Sequence, residues 1–359
     1  MHRSPDFQRL LLWGLSGPVI ALNIWLLTQL FRYFEHLITF LVIAAILAFL
    51  LDYPVRLFRK SGFSRTQSVT VVWLLTITLL VILGLTLVPV ITDQANQLVN
   101  RFPGWLSASQ ENIAQIDRWA RLRRLPLDLQ GFSRRLNTQL ENQIQTIVPQ
   151  ALEVALGTLS GLVDSILVFV LAFYMLLDGN RLWQGLINLL PPYFGIPLAR
   201  SLRLNFQNFF ISQILLALVM VLALIPVLLI LKVPFALLFA LLIGVAELIP
   251  FFGATLGIGL VIILVMLQDL GLGLQVAISS TILQQLRDNL LAPRMMGNLT
   301  GLNPLWIFIA LLMGLQIAGF LGAIVAVPIA GTIKGTLEAL RSSSSSLAAL
   351  SPSAMDESG

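Results

Sequence analysis

The sequence predicts an all-α polytopic membrane protein with discontinuous or re-entrant helices in its C-terminal third. Three observations predict it. Of 359 residues, 57% are apolar and only 11% charged, with a mean hydropathy of +0.89, whereas soluble domains carry roughly 25% charged residues. Residues 10–31, 66–92, 204–231, 248–268 and 295–333 contain no Asp, Glu, Lys or Arg, and a crossing of the hydrocarbon core needs about 20 apolar residues at about 1.5 Å each. The apolar runs are continuous, which excludes the period-two alternation of a membrane barrel.

The element order follows from these runs. Residues 10–31 read as a retained first span, because 22 apolar residues exceed the core of a signal peptide and no small-residue cleavage site closes them. Gly14, Gly17 and Pro18 favour a kink there. A shorter stretch, 36–51, pairs with it as a hairpin, with Tyr33, Phe34 and Tyr53 at the interfaces. Residues 52–68 read as a loop in which Arg56, Arg59, Lys60 and Arg65 outweigh Asp52, which places it in the cytoplasm. A third span follows at 69–91. Residues 92–150 turn polar, and Phe132, Leu136, Leu140, Ile144 and Val148 recur every fourth residue, the pattern of an amphipathic helix. Three crossings from an inside start put this region outside. A fourth span covers 154–177 and contains Asp164; 180–208 read as a basic polar connection, and a fifth span runs 207–231.

The last third differs. Residues 244–335 hold 13 of the 25 glycines, interrupted by Pro250, Pro293, Pro304 and Pro328, and they contain the acids Glu247 and Asp288. The 39-residue run 295–333 would reach about 58 Å as one helix, too long for one crossing, so it must fold back near Gly314 or Gly319–Gly322. The expected segments are therefore 1–91, N-terminal membrane helices; 92–150, an extramembrane amphipathic region; 151–231, central membrane helices with a cytoplasmic connection; 232–340, a broken-helix transport core; and 341–359, a disordered Ser-rich tail.

Glu247 is the sharpest functional candidate. A charge at mid-membrane costs about 2.5–3.5 kcal/mol on insertion scales and persists where it meets a cavity, partner or substrate path. Pro250, three residues on, removes a backbone donor and frees a carbonyl; Gly253 and Gly257 permit a turn and close helix contact. The bland alternative is a carboxyl hydrogen-bonded between helices for packing. A second constellation comprises Gln284, Gln285, Arg287, Asp288, Asn289, Pro293 and Arg294. Gln284/Asp288 and Gln285/Asn289 have helical i,i+4 spacing and form a polar wall toward Glu247, with Arg287 or Arg294 to neutralise a carboxylate; the alternative is an ordinary cytoplasmic loop. Gly157-x3-Gly161, Gly253-x3-Gly257 and Gly331-x3-Gly335 match the small-residue packing motif.

Other classes are excluded or disfavoured. Net charge is +5, but no basic stretch is interleaved with aromatics, so anionic lipid rather than nucleic acid is the expected partner. Cysteine is absent and only His2 and His36 are present, which leaves little for metal or nucleophilic chemistry. No Walker loop, HExxH or GxSxG occurs. No enzyme activity and no cofactor are expected.

The ordered motifs Glu247-Leu-Ile-Pro250-Phe-Phe-Gly253, Gln284–Asp288-Asn289-Leu-Leu-Ala-Pro293-Arg-Met-Met-Gly297, Leu302-Asn303-Pro304-Leu305-Trp306 and Gly319-Phe-Leu-Gly322-Ala-Ile-Val-Ala-Val-Pro328 resemble the AI-2E family of transporters, as does Phe173-Tyr174…Asp178-Gly179. The resemblance covers most of the chain and is weakest in 92–150. It implies a multipass protein of the bacterial inner membrane with about seven or eight helices, acting in autoinducer-2 export or sodium/proton antiport. It further implies a homo-oligomer, with a pentamer as the expected form, in which a mobile unit carries the site against a scaffold. Glu247, Pro250, Gly253, Asp288, Asn289 and Pro293 match family positions. Asn303 stands where His often precedes the proline, and Ala254 where Pro often follows Gly253.

Together these readings predict a secondary transporter of a small polar solute or ion. Glu247, Pro250, Gly253, Gln284, Asp288, Asn289 and Pro293 form its binding region, and Gly257, Pro304, Gly319 and Gly322 its structural hinges. A passive channel and a non-transporting scaffold or receptor built on 92–150 are the competing readings.

Overall fold

The computed structural model describes residues 18–122 apart from 20, 21, 24 and 31, then residue 146, residues 159–296 and residues 302–349. Among these residues every regular element is helical, as a chain must be when lipid offers its backbone no partners. Four helices are long and apolar enough to cross a membrane, Glu35–Lys60, Arg65–Ala108, Pro192–Ile230 and Leu305–Ser342, and Ala236–Ala246 and Gly253–Gln268 are shorter apolar helices. Gly14, Gly17 (and with them the start of the first span), the 132–148 periodicity, Gly157 and Gly297 lie outside the described residues.

Helix α1 (Glu35–Lys60), α2 (Arg65–Leu122) and α3 (Leu159–Ile187) form a bundle. Small residues set its spacing: Ala44 and Ala172 are fully buried with Phe40 and Val168, and Ala48, Val55, Val69, Val72 and Leu176 close the other end. The loop read over 52–68 shrinks to 61–64. Asp52 and Arg56 pair at i,i+4 and keep α1 helical, and Gly62, at φ +96°, ends it. The fourth span, expected to end at residue 177, likewise runs on, as α3, to Ile187.

The expected boundary at 91/92 is no break. Helix α2 continues for 58 residues, about 87 Å. Past the polar change, Ala95, Leu98, Phe102, Trp105 and Leu106 make a buried stripe along it. Leu98, Phe102, Trp105 and Leu106 pack with Leu228, Phe235, Phe239 and Val265, so this part of the predicted extramembrane region belongs to the core.

Helix α4 (Pro192–Ile230) also absorbs most of the polar connection expected over 180–208, and α3 takes its first residues, so only 188–191 remain between the two helices. Polar residues in this part of α4 have partners: Arg203 lies 3.7 Å from Asp52, and Gln207 accepts from Arg56 at 3.1 Å. After a turn at 231–235, α5 (Ala236–Ala246) and α6 (Gly253–Gln268) make a helical hairpin whose tip is 247–252. Their 11 and 16 residues span about 17 and 24 Å, each less than the roughly 30 Å hydrocarbon core. Helix α7 (Leu270–Leu286), capped by Asp269 accepting from the Leu272 N–H, leads into a π turn at Arg287–Leu291 and the short α8 (Ala292–Met296).

Helix α9 (Pro304–Ala349) folds back at Ala318 and Gly319, the latter at φ 56°, ψ −141°, where the sequence required a break. A Cβ on Gly322 would come 1.9 Å from the Gly314 carbonyl oxygen, so the two arms touch backbone to backbone. The second arm packs on α4, with Gly331 and Gly335 opposite Asn205 and Ser201. Residues 341–349, expected to be disordered, continue this helix, Ser342 bonding back to the Ala339 carbonyl; 350–359 lie outside the described residues.

Candidate functional site: the tip of the α5–α6 hairpin

The hairpin tip is built by one missing donor and two missing side chains. Pro250 has no N–H for the Ala246 carbonyl, which takes the Ile249 N–H at 3.0 Å instead. The chain turns through Phe251 at φ 67° and restarts as α6. A Cβ on Gly253 would lie 1.7 Å from the Ala246 oxygen, and one on Gly257 would lie 3.0 Å from Ala246 Cβ. Only glycine lets α6 return this tightly along α5. Pro250 itself is buried.

Glu247 closes α5, and its side chain is 0% exposed. Its carbonyl, released from the helix ladder, accepts from Gln213 Nε2 of α4. Its carboxylate faces the end of α7: Arg287 Nη2 stands 3.6 Å from Glu247 Oε2. Arg287 Nη1 lies 2.7 Å from Asp288 Oδ1, and Gln284 Nε2 donates to Asp288 Oδ2 at 3.0 Å. Ser280 and Gln284, at i and i+4, share a face of α7, and Arg287 opens the π turn that follows it. Six buried atoms there lack a hydrogen-bond partner: Gln213 Oε1, both Glu247 oxygens, Ser280 Oγ, Gln284 Oε1 and Arg287 Nε. Buried polar groups are ordinarily satisfied, so these unpartnered atoms on α4, α5, α7 and the π turn mark the region as the candidate site.

The structure brings Glu247, Pro250, Gly253, Gly257 and Gln284 into this region. The predicted pairs Gln284/Asp288 and Gln285/Asn289 both form, but Gln285, Asp288, Asn289 and Pro293 are exposed. The wall therefore meets Glu247 through Arg287, and Arg294 is exposed away from it. Asp164 pairs with His36 at 3.7 Å between α1 and α3. Pro304 opens α9, and Asn303 caps it by accepting from the Leu305 N–H at 3.1 Å; the residue that replaces the usual His has a backbone task. Gly319 and Gly322 form the fold-back of α9, whose first arm meets the hairpin tip where the rings of Phe252 and Phe308 lie 5.5 Å apart. Among the described residues no group of three His, Asp or Glu side chains forms a metal site.

Sequence reasoning missed Gln213 and Ser280. The signal for Gln213 was present: Ser212-Gln213 is a polar pair within an uncharged run, and both are buried. Ser280 is one helical turn before Gln284.

Comparison with known proteins agrees with this architecture. The AI-2E family transporter pattern matches residues 16–342. The chain is 42% identical to the candidate transport protein sll0063 of Synechocystis sp., over 93% of this chain and 85% of that one. It is 33% identical to a second Synechocystis protein so described, sll0060, over 93% and 97%. With the candidate permease PerM of Escherichia coli it shares 25% identity over 86% and 88%. This chain is an integral, multi-pass membrane protein and belongs to the AI-2E family of transporters.

Proposed function

We propose that the protein is a secondary transporter that moves a small polar solute or ion by alternating access, with the tip of the α5–α6 hairpin as its binding region. One observation carries the reading: the Glu247 carboxylate is fully buried at the break between α5 and α6, with neither oxygen hydrogen-bonded. Evolved membrane proteins place an ionisable group there for function, and broken helices at membrane depth are how many transporters free backbone groups for cargo. Glu247 carries the exchanged proton or sodium ion. Gln213, Ser280 and Gln284 supply oxygens for the cargo, and Pro250 and Gly253 hold the tip open.

Within this reading the cargo is a signalling solute of the autoinducer-2 kind or the ion pair of a sodium/proton antiporter. The protein lies in the bacterial inner membrane as a homo-oligomer, a pentamer in its expected form. It has no enzymatic activity and no nucleic-acid partner. Family membership and relatives named for transport and permeation support the transporter class; the site chemistry supports a polar cargo.

The test is reconstitution in liposomes with an imposed proton or sodium gradient, comparing wild type with Glu247→Gln and Asp288→Asn. Flux in Glu247→Gln falls at least about tenfold, the scale set by the cost of a buried charge. Unchanged flux in Glu247→Gln overturns the reading, whatever Asp288→Asn does.

A further inference from the structure

Arg287 stands between two carboxylates and satisfies only one. It is held by Asp288 at 2.7 Å, while its other terminal nitrogen stops 3.6 Å from Glu247 Oε2, within ion-pair range but beyond a hydrogen bond. Its Nε is buried without a partner, and so are both Glu247 oxygens. A guanidinium that commits to a carboxylate normally does so through two parallel bonds; this pair is half-made. The surroundings are graded, with side-chain exposures of 44% for Asp288, 12% for Arg287 and 0% for Glu247. Arg287 thus has a wet anchor and a dry target. It also begins the π turn Arg287–Leu291, where one extra residue in the helical turn permits local changes of register.

We infer that Arg287 is an internal cation that competes with a transported monovalent cation for Glu247. With the site empty, the guanidinium closes on Glu247. With a cation on the carboxylate, it withdraws to Asp288. The inference rests on the transport reading above in its sodium-carrying form, and narrows it to a return step that carries no proton. A bare carboxylate is unfavourable to carry through hydrocarbon, so an empty site can return only if something neutralises it, and Arg287 is the group within reach. Asp288 is then a positioning residue that holds Arg287, and no ligand of the cargo.

Two sodium-22 assays in proteoliposomes separate the steps. In exchange, sodium is equal on both sides and every crossing is loaded. In net uptake, sodium is outside only, the voltage is clamped with potassium and valinomycin, and the site must return empty; entrapped pyranine reports any proton that returns in its place. In Arg287→Gln, net uptake falls about tenfold while exchange stays within about twofold, and Arg287→Lys restores net uptake. In Asp288→Asn, Arg287 stays on Glu247, so the apparent KM for sodium rises several-fold with the maximal exchange rate kept. Equal loss of net uptake and exchange in both Arg287 variants overturns the inference. So does net uptake that survives Arg287→Gln, a pyranine signal showing that a proton makes the return, an unchanged KM in Asp288→Asn, or a wild type that carries no sodium-22. Sodium exchange that survives Glu247→Gln overturns the transport reading itself.

Discussion

A carboxyl group buried at the tip of an apolar helical hairpin has few places to put its charge, and the residues around Glu247 show how the chain manages it. Gln213 binds the Glu247 carbonyl rather than its carboxylate, which fixes the backbone and leaves the acid available. Gln213→Leu removes that donor and strands a buried carbonyl, so thermal unfolding in detergent shows a loss of about 1–3 kcal/mol; an unchanged melt would mean that the carbonyl finds another donor. Gly253 is stricter. Gly253→Ala drives a methyl into the Ala246 carbonyl and destabilises by about 3 kcal/mol or prevents folding. Gly259→Ala, with nothing within 4 Å of the added carbon, is neutral or better, since alanine is favoured in a helix by about 1 kcal/mol. Equal melts for these two variants would contradict the packing. Glu247, Pro250 and Gly253 were legible because an acid, a proline and a glycine are conspicuous in an apolar run. Gln213 stood out only as half of a polar pair in an uncharged run, and a neutral amide does not announce its partner.

At the scale of elements, the chain folds back at Gly319 because its backbone lies where a side chain is strained, and closes at Gly314 and Gly322 because no side chain separates the arms. Two alanine substitutions probe these separately. Gly319→Ala meets open space but an unfavourable φ, at a cost of about 1–3 kcal/mol. Gly322→Ala keeps φ helical but forces the arms apart, and limited proteolysis of the loosened hairpin reads it. Protection equal to wild type in both would place the fold-back elsewhere. The break was legible from length alone, since 39 uncharged residues exceed any single crossing. Element ends were less so. Asp52, Arg56 and Arg203 resemble loop charges in sequence, yet they bind one another across α1 and α4. Charge density marks a loop only when the charges face water, and sequence does not show which face they take.

Across the whole molecule, α2 ties the α1–α3 bundle to the hairpin. The polar shift after residue 91 suggested a separate module, but four apolar residues at helical spacing, Leu98, Phe102, Trp105 and Leu106, were enough to bury this stretch. A sparse stripe is easily overlooked among glutamines and asparagines. The absence of native cysteine makes the arrangement simple to test. The Trp105 and Phe235 rings lie 5.8 Å apart, so Trp105→Cys/Phe235→Cys joins through a short bismaleimide, read as a mass increment on the intact chain. A free-standing 92–122 segment would leave the pair unlinked.

The same stripe bears on how far the tip can travel. Gln94 accepts the Leu238 N–H at 2.9 Å, and the Trp105 ring lies 5.8 Å from that of Phe235 at the start of α5, so α2 is fastened to the first hairpin arm by a backbone donor as well as by apolar contact. Any travel of the tip along α2 must break this bond first, so exchange of the Leu238 amide hydrogen reports it.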